Sequence, residues 1–352
     1  MASKRKQQEV VSKESTPEEV ASAFEEFVKK AKEKYGESAL VHPSDDEFPD
    51  TSEAIPTGII GVDRATRIGG IPKGRITEIY GPESSGKTTL MLHIVNSAQK
   101  IGLKNILILD VEYTLTGERL KACGIDPSVV IARPESGEEA LDMAYDALVN
   151  GADLVCIDSV AGLVPTSELS STMEDSSIAL QARMMSKFLR KANPVVGREG
   201  RTLVFTNQIR SSASQYGPSE ITTGGNALRF YASMRIELRR KETLKSGSES
   251  YANIVRVRAV KSKVDSPYGE DEFIMFFDPQ KTPAASLIST GEKLGIIKRK
   301  GSWYTYGDIS LGSGLMSSVN KLLEDQNLFN EIDSKLRDPE VLTKKIFEQN
   351  DI

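Results

Sequence analysis

The sequence predicts an α/β fold built around a mostly parallel β-sheet, and two observations carry this prediction. Between residues 58 and about 238, short apolar runs alternate with segments of helical periodicity, the pattern of a parallel sheet with helices on both faces. At residues 81–88 the chain reads Gly-Pro-Glu-Ser-Ser-Gly-Lys-Thr, with an apolar run before it and a helical segment after it. A glycine-containing turn between a strand and a helix is typical of a loop that binds phosphate.

The apolar runs give the order of the predicted elements. Five of them are predicted as strands of one sheet: 76–80, 105–110, 129–132, 154–158 and 202–207. Two further strand-like runs follow, at 254–260 and 272–277. From about residue 284 the periodicity is helical, apart from an apolar-aromatic patch at 303–306, which predicts a small C-terminal domain. The predicted domains are an N-terminal arm and linker at 1–57, a core at 58–283 and the C-terminal domain at 284–352.

The N-terminal arm contains a predicted amphipathic helix. Thr16, Pro17 and Glu19 form the pattern of a helix start, with a capping box closed by the glutamate. Apolar side chains then recur at helical spacing: Val20, Phe24, Phe27, Val28 and Ala31. An acidic, proline-containing linker separates this helix from the core, so its apolar face packs either on the chain's own core or on a neighbouring subunit.

Composition narrows the class of protein. The 352 residues carry a net charge of −5, and no run approaches the roughly 18 consecutive apolar residues of a membrane span. The N-terminus lacks the apolar centre of a signal peptide, and Cys123 and Cys156 imply no disulfide framework, so we expect a cytoplasmic protein. With only His42 and His93 present, we expect neither a zinc site nor a Ser-His triad. The negative charge means that binding of nucleic acid must use local basic patches.

The loop at 81–88 matches the pattern G-x-x-x-x-G-K-[ST] and predicts a nucleotide site. Gly81 and Gly86 let the backbone curl so that its N–H groups face phosphate oxygens, and the helix N-terminus adds partial positive charge. We expect Lys87 to reach the terminal phosphates and the Thr88 hydroxyl to bind Mg²⁺. The predicted cofactor-binding residues of the loop are Gly81, Pro82, Glu83, Ser84, Ser85, Gly86, Lys87, Thr88 and Thr89. A chance glycine–serine turn is the alternative.

Carboxylates end two of the predicted strands. Asp158 closes the apolar run 154–158, where it either holds Mg²⁺ through water or caps the segment after Ser159. Asp110 and Glu112 end the neighbouring strand at positions i and i+2, so both can point the same way. A carboxylate there would orient an attacking water, and a solvated strand terminus is the alternative.

Polar segments follow the last core strand. Gln208 could sense a terminal phosphate, and the run 211–225 that follows lacks hydrophobic periodicity. With Arg210, Tyr216 and Arg229 it suits contacts with phosphates and bases, unless it is a tolerated surface insertion. A second polar loop at 170–177 precedes a helix that carries Arg183, whose charge could equally be a solvated face.

Two lysines, Lys261 and Lys263, follow the run 254–260. Alternation along a strand puts both on one side. They are either an exposed edge pair or a pair that reaches an anion held by another subunit.

Taken together, these motifs resemble the bacterial RecA recombinase family. The resemblance rests on the runs 81–89, 182–186, 207–210 and 222–233 in this order, and it extends from about residue 35 to about residue 335. It implies a RecA-like P-loop ATPase core with an N-terminal helical arm and a small C-terminal α/β domain. It also implies helical filaments on single-stranded DNA, with ATP and Mg²⁺ between subunits, that pair with a homologous duplex and exchange strands.

The resemblance also implies residue roles. The expected catalytic residues are Glu112, Lys87, Gln208, Lys261 and Lys263, the two lysines acting on the nucleotide of the adjacent subunit. Asp158 would be the Mg²⁺-side aspartate beside Thr88, and Phe230 a residue of the subunit interface. The expected DNA-binding residues are Arg183, Arg210, Tyr216, Gly224, Gly225, Asn226 and Arg229. The N-terminal helix would dock on a neighbouring subunit.

Some positions depart from the family pattern. Thr116 and Arg119 stand where an acidic residue and an aromatic usually contact adenine, although a guanidinium can still stack on a base. These departures fit a divergent member, such as one encoded by a phage. Ring helicases, transport ATPases and a DNA-coating protein with degenerate catalysis are the alternative classes. A self-cleaving repressor and loading factors are further partners that the resemblance suggests.

Overall fold

The computed structural model describes residues 16–36, 40, 53–170, 179–211 and 220–343, which fall into two compact units, 1–50 and 51–352. In the first unit, helix α1 spans Pro17–Tyr35. The predicted capping box is confirmed, because the Thr16 hydroxyl accepts a hydrogen bond from the Glu19 N–H and the Glu19 carboxylate accepts one from the Thr16 N–H. Phe24 and Phe27 on this helix are more than half exposed.

The second unit holds the remaining described elements. Its strands are β1 (Ala54–Ile55), β2 (Ile71–Pro72), β3 (Ile76–Gly81), β4 (Ile106–Asp110), β5 (Val130–Ala132), β6 (Leu154–Asp158), β7 (Thr202–Ser211), β8 (Glu220–Thr222), β9 (Met234–Ser246), β10 (Glu249–Ser262), β11 (Gly269–Phe276), β12 (Ile297–Lys300), β13 (Trp303–Tyr306) and β14 (Ile309–Ser313). Its helices are α2 (Ile60–Thr66), α3 (Lys87–Lys100), α4 (Gly117–Ala122), α5 (Gly137–Val149), α6 (Thr166–Leu169), α7 (Leu180–Arg198), α8 (Ala227–Tyr231), α9 (Thr282–Lys293), α10 (Leu315–Glu324), α11 (Gln326–Arg337) and α12 (Pro339–Leu342).

The central sheet is mostly parallel, as predicted. Its strand order is β11-β10-β9-β3-β7-β6-β4-β5, and every pair from β9 to β5 is parallel. The strands β10 and β11 extend the sheet as an antiparallel edge. All five predicted core strands are therefore confirmed, and they lie side by side with β9.

Alternation along the central strands explains why helices cover both faces. In β6, Leu154 and Cys156 pack on the side of α3, whereas Val155 and Ile157 pack on the side of α5 and α7. Each of these four side chains is fully buried. A strand that is buried on both faces has apolar residues at successive positions, and the sequence of 154–158 has this pattern.

The prediction of a helical region after residue 284 was incomplete. The antiparallel sheet β12-β13-β14 lies between α9 and α10, and the apolar-aromatic patch at 303–306 is its central strand. Tyr304 and Tyr306 are buried in the cluster formed with α9, α10 and α11. The C-terminal part is thus a small α/β domain, which agrees with the expectation from the family resemblance.

Ion pairs and a hydrogen bond to a backbone carbonyl join α2 to β11 and to the C-terminal helices. Asp63 accepts a hydrogen bond from the Arg337 guanidinium at 2.6 Å, and Arg64 donates to Asp271 at 3.2 Å. Arg64 also donates to the backbone carbonyl of Val341 at 2.7 Å. Because Asp63, Arg64 and Asp271 are buried, each charge depends on its partner in the fold.

The polar run 211–225 contains a strand that the sequence did not reveal. The strand β8 pairs antiparallel with the end of β7, which extends to Ser211, four residues beyond the predicted limit of that strand.

None of the helices within the described ranges is long and apolar enough to cross a membrane. Cys123 and Cys156 are both buried free thiols.

Candidate active site

The carboxyl ends of the parallel strands bring the predicted site residues together. In strand register, Gly81 of β3 pairs with Gln208 of β7, and Asp110 of β4 pairs with Asp158 of β6. A cavity of about 740 Å³ opens at this edge, between the 81–88 loop, the residues after β4 and the end of β11. This is the place where open α/β sheets bind ligands.

The 81–88 loop has the conformation that the motif requires. Gly86 precedes α3 with a φ of 92°, a backbone conformation that residues with a side chain rarely adopt, and a Cβ atom there would also require Met275 to move. The Lys87 ammonium donates to the carbonyls of Gly81 and Pro82 at 3.1 and 2.7 Å. Burial lowers the pKa of Lys87. The buried Ser85 hydroxyl has no hydrogen-bond partner within the described ranges, as expected of a loop whose natural partner is a phosphate.

Thr88 and Asp158 lie next to each other at the start of α3. The Thr88 hydroxyl donates to one Asp158 carboxylate oxygen at 2.8 Å, and Thr206 donates to the other. Burial raises the pKa of Asp158, so a cation beside it would stabilise its ionised form. A hydroxyl and a carboxylate are hard oxygen ligands, which fits Mg²⁺. The part of the chain that the structure describes has no group of three or more His, Cys, Asp or Glu residues arranged to hold a metal alone.

Glu112 and Gln208 meet in the cavity, whereas Asp110 does not join them. The Gln208 amide donates to the Glu112 carboxylate at 3.2 Å, and the Ser159 hydroxyl donates to the same oxygen. Asp110 is fully buried and accepts hydrogen bonds from the N–H groups of Thr114 and Leu115. The expectation that Asp110 and Glu112 share one direction is therefore wrong, because Asp110 orders the turn that follows β4.

The two residues that depart from the family pattern also line the cavity. Thr116 caps α4 by accepting from the Arg119 N–H at 3.2 Å. The Arg119 guanidinium donates to the Thr89 hydroxyl at 3.4 Å. Sequence reasoning missed Asn253 and Phe277, which line the same cavity from the antiparallel edge. Phe277 is 54% exposed, and the aromatic residue at the end of the predicted strand 272–277 was the available signal.

The cavity has more negative than positive side chains. Its lining carboxylates are Glu83, Glu112, Glu118 and Asp158, and its lining cations are Lys87 and Arg119. A nucleoside triphosphate adds several more negative charges. Additional cations are therefore needed around a bound triphosphate.

The predicted DNA-binding residues lie along the ends of the two polar loops. Arg183 on α7, Arg210 on β7 and Arg229 on α8 are exposed. Gly224 donates its N–H to the Gln181 side chain at 3.1 Å, which brings the segment after β8 against the start of α7. Gly225, Asn226 and Arg229 line a second cavity of about 420 Å³. Residues 171–178 and 212–219, which include Tyr216, lie outside the described residues.

Lys261 lies near the end of β10 and Lys263 directly after it, and neither lines the phosphate cavity. The Lys261 ammonium donates to the carbonyls of Arg229 and Phe230 at 2.7 and 2.9 Å, and Lys263 donates to Phe230 at 3.2 Å. Burial, then the positive charges of Lys263 and Arg235, lower the pKa of Lys261 to about 8. Phe230 itself is 69% exposed.

The sheet order, the phosphate loop and the carboxylates at the strand ends define a P-loop ATPase. Comparison with known proteins gives the family. The profile of the RecA N-terminal domain matches residues 22–280, and that of the RecA C-terminal domain matches residues 285–339. The chain belongs to the RecA family, and it is accordingly a homologous recombinase with DNA-dependent ATPase activity.

Individual relatives agree over most of the chain. The chain is 42% identical to the protein RecA of Acidothermus cellulolyticus over 319 residues, which cover 90% of this chain and 92% of the relative. It is 44% identical to that of Mycobacteroides abscessus over 296 residues, 83% and 85% of the two chains. It is 43% identical to that of Frankia alni over 307 residues, 86% and 88%. The family implies ATP binding, binding of single-stranded DNA and assembly into filaments.

Proposed function

We propose that each ATP site of this recombinase is completed by Lys261 and Lys263 of the next subunit in a filament on single-stranded DNA. The observation that carries this proposal is charge. The phosphate cavity is lined by four carboxylates and two cations, while the two lysines lie outside it on the same chain. Cations donated across an interface would stabilise the charge that develops on the γ-phosphoryl oxygens, and they would make hydrolysis depend on assembly.

Within one chain, the cavity residues have separable tasks in this proposal. The 81–89 loop binds the phosphates, and Lys87 moves from the carbonyls of Gly81 and Pro82 to the terminal phosphates. Thr88 and Asp158 would hold Mg²⁺, which supplies positive charge to the phosphate oxygens when bound. Glu112 orients the attacking water and accepts its proton, and Gln208 monitors the γ-phosphate. Arg119 stacks on the base in place of an aromatic ring.

The DNA side of the proposal uses the two polar loops. Arg183, Arg210, Arg229 and the segment 224–226 would contact phosphates of single-stranded DNA, with Tyr216 stacking on a base. The bound strand would pair with a homologous duplex and exchange with it. A self-cleaving repressor and loading factors remain predicted partners of the filament.

Three further features are part of the proposal. The arm at 1–57 would dock on a neighbouring subunit through the exposed aromatic face of α1, and Phe230 would lie in the same interface. The core at 58–283 would hold ATP and single-stranded DNA, followed by the C-terminal domain at 284–352. The cytoplasm is the proposed location.

Measurement of ATP hydrolysis with and without single-stranded DNA tests the proposal. We expect DNA to stimulate hydrolysis strongly in the wild type. This stimulation should be lost in Glu112→Gln, because glutamine has the shape of glutamate but cannot accept the proton of the attacking water. Glu118→Gln is the matched control, because Glu118 lines the cavity without contacting Gln208. Hydrolysis that remains at the wild-type level in Glu112→Gln would contradict the role proposed for Glu112.

A further inference from the structure

A buried carboxylate, Glu78, lies in β3 and takes part in no step of the proposed reaction. Its side chain is fully buried. One carboxylate oxygen accepts from the Asn207 amide at 2.9 Å, and the other accepts from the Arg235 guanidinium at 2.5 Å. A buried charge is tolerated only when its oxygens are paired in this way, so the contacts of Glu78 are strongly specified.

Asn207 is fully buried on β7, and its side chain links Glu78 to Gln208 and to Thr223. Its amide nitrogen donates to Glu78 and to the Thr223 carbonyl, the latter at 3.1 Å. Its amide oxygen accepts from the Gln208 N–H at 2.9 Å and from the Thr223 hydroxyl at 2.5 Å. An asparagine side chain has two donor hydrogens and two acceptor lone pairs, and all four are used here.

The hydrogen bonds of Asn207 and Glu78 connect three regions of the chain. Gln208 reaches Glu112 in the phosphate cavity. Thr223 lies between β8 and the segment 224–226 that is proposed to contact DNA. Arg235 packs over the Tyr80 ring and pairs in register with Lys261. The backbone also links Gln208 to Thr223, since the Thr223 N–H donates to the Gln208 carbonyl at 3.4 Å, and the Asn207 side chain adds hydrogen bonds to both residues.

We infer that Glu78 and Asn207 are positioning residues that make Gln208 and Thr223 move as one unit. The inference rests on the proposed function, in which Gln208 monitors the nucleotide and the segment after Thr223 contacts DNA. Displacement of Gln208 alone would break buried hydrogen bonds to Asn207, and unpaired buried polar groups are costly. The lower-energy response is a shift of both residues, which couples ATP binding to DNA affinity.

The inference is tested by a coupling ratio, the Kd for a fluorescent oligothymidine with ADP divided by the Kd with a non-hydrolysable ATP analogue. We expect this ratio to fall at least about fivefold in Glu78→Gln, since coupling between sites is typically 5–150-fold. The introduced amide has one acceptor oxygen, so either Asn207 or Arg235 loses its acceptor. Thr223→Val removes a single hydroxyl without touching the buried charge, and we expect it to lower the ratio in the same direction.

Two further variants separate positioning from general damage. The double variant Glu78→Gln/Asn207→Asp restores the donor–acceptor pair between these two positions and the net charge, but the Thr223 carbonyl loses its donor, so the ratio should recover only part of the way towards the wild-type value. Asp271→Asn is the control, because Asp271 is a comparably buried carboxylate paired with Arg64 and Lys293 away from the phosphate cavity. It should leave the coupling ratio unchanged even if thermal unfolding shows lower stability.

The outcomes distinguish this inference from the proposal on which it rests. A wild-type ratio of one would overturn the proposed coupling itself. A wild-type ratio well above one that persists in Thr223→Val and in folded Glu78→Gln would overturn only the positioning role. If Glu78→Gln does not fold, Thr223→Val decides the question on its own.

Discussion

The phosphate-binding edge of the sheet and the surface around Lys261 differ in how their charged side chains are paired. At the phosphate edge, Asp158, Glu112 and Gln208 are hydrogen-bonded within the chain and held by strand ends. At the second surface, Lys261 and Lys263 donate only to backbone carbonyls of α8, and no carboxylate in the described ranges lies within ion-pair distance of either. The first region can be preorganised by one chain, whereas the second has positive charge that an anion from outside would complete.

This difference explains how assembly could control chemistry. The parallel sheet positions the groups proposed to hold Mg²⁺ and to activate water within one chain, because they lie at or directly after the ends of paired strands. In the proposal, Lys261 and Lys263 act only where a second subunit places its bound triphosphate next to them. Hydrolysis by the free chain is therefore expected to be slow despite a complete phosphate loop.

The largest effect is expected from removing the lysine surface. Lys261→Ala/Lys263→Ala should lower DNA-dependent ATP hydrolysis by about 10³-fold, the scale of a cation that stabilises phosphoryl transfer in trans. Nucleotide binding by the unassembled chain should be nearly unchanged, since neither lysine lines the cavity. Steady-state hydrolysis and equilibrium binding of a fluorescent ATP analogue measure the two quantities. Equal loss of both would contradict the division between the two regions.

The phosphate edge is tested by Asp158→Asn. This variant should lower hydrolysis by about 10²-fold, because a metal ion contributes several kcal/mol to the stabilisation of transition-state charge. The concentration of Mg²⁺ needed for half-maximal activity should rise. Asp153→Asn, at the opposite end of the same strand, is the control and should keep the wild-type Mg²⁺ dependence. An unchanged Mg²⁺ requirement in Asp158→Asn would remove that residue from the site.

A smaller effect is expected from pH, through Lys261. Its pKa of about 8 means that the ammonium form predominates at pH 7 and is lost as pH rises. Assembly-limited hydrolysis at low protein concentration should fall about tenfold between pH 7 and pH 9, following the protonated fraction of Lys261. Lys261→Arg keeps its charge and should flatten this decline. Parallel profiles for the two proteins would show that Lys261 is not the titrating group.

The smallest effect concerns the scaffold behind the phosphate loop. Burial, then Lys100, lowers the pKa of His93 to about 4. The unfolded chain takes up a proton near pH 6.5 while the folded chain does not, so stability decreases as pH falls from 6.5 towards 4. The free energy of unfolding at pH 5 should drop by about 2 kcal/mol more in the wild type than in His93→Gln, by denaturant titration. Hydrolysis at pH 7 should be alike in both proteins, and a large difference would place His93 in the site.

Much of the fold and the phosphate edge could be predicted from local sequence. The apolar runs of β4 and β6 are buried on both faces, and such strands are visible as continuous apolar runs in the sequence. The phosphate loop is a contiguous motif whose glycine geometry is a local requirement, as Gly86 illustrates. The capping box of α1 is equally local.

Features that depend on contacts between residues far apart in the sequence could not be predicted from local sequence patterns. The strand β12 consists of Ile297 followed by three exposed charged residues, so it carries no apolar alternation. The Asp110 carboxylate accepts hydrogen bonds from backbone N–H groups of the turn after β4 and does not line the cavity. The spacing of Asp110 and Glu112 in the sequence could not predict this orientation. Glu78 and Asn207 are 129 residues apart, and only the parallel pairing of β3 and β7 brings them together.

The most direct test of the central claim mixes two inactive chains. Glu112→Gln lacks the carboxylate proposed to activate water but keeps the lysines, and Lys261→Ala/Lys263→Ala has the reverse defect. In a filament of equal parts on single-stranded DNA, about one quarter of the head-to-tail interfaces would join an intact site to intact lysines. The account predicts that the mixture hydrolyses ATP far faster than either variant alone. No recovery in mixtures that demonstrably co-assemble would contradict a site shared between subunits.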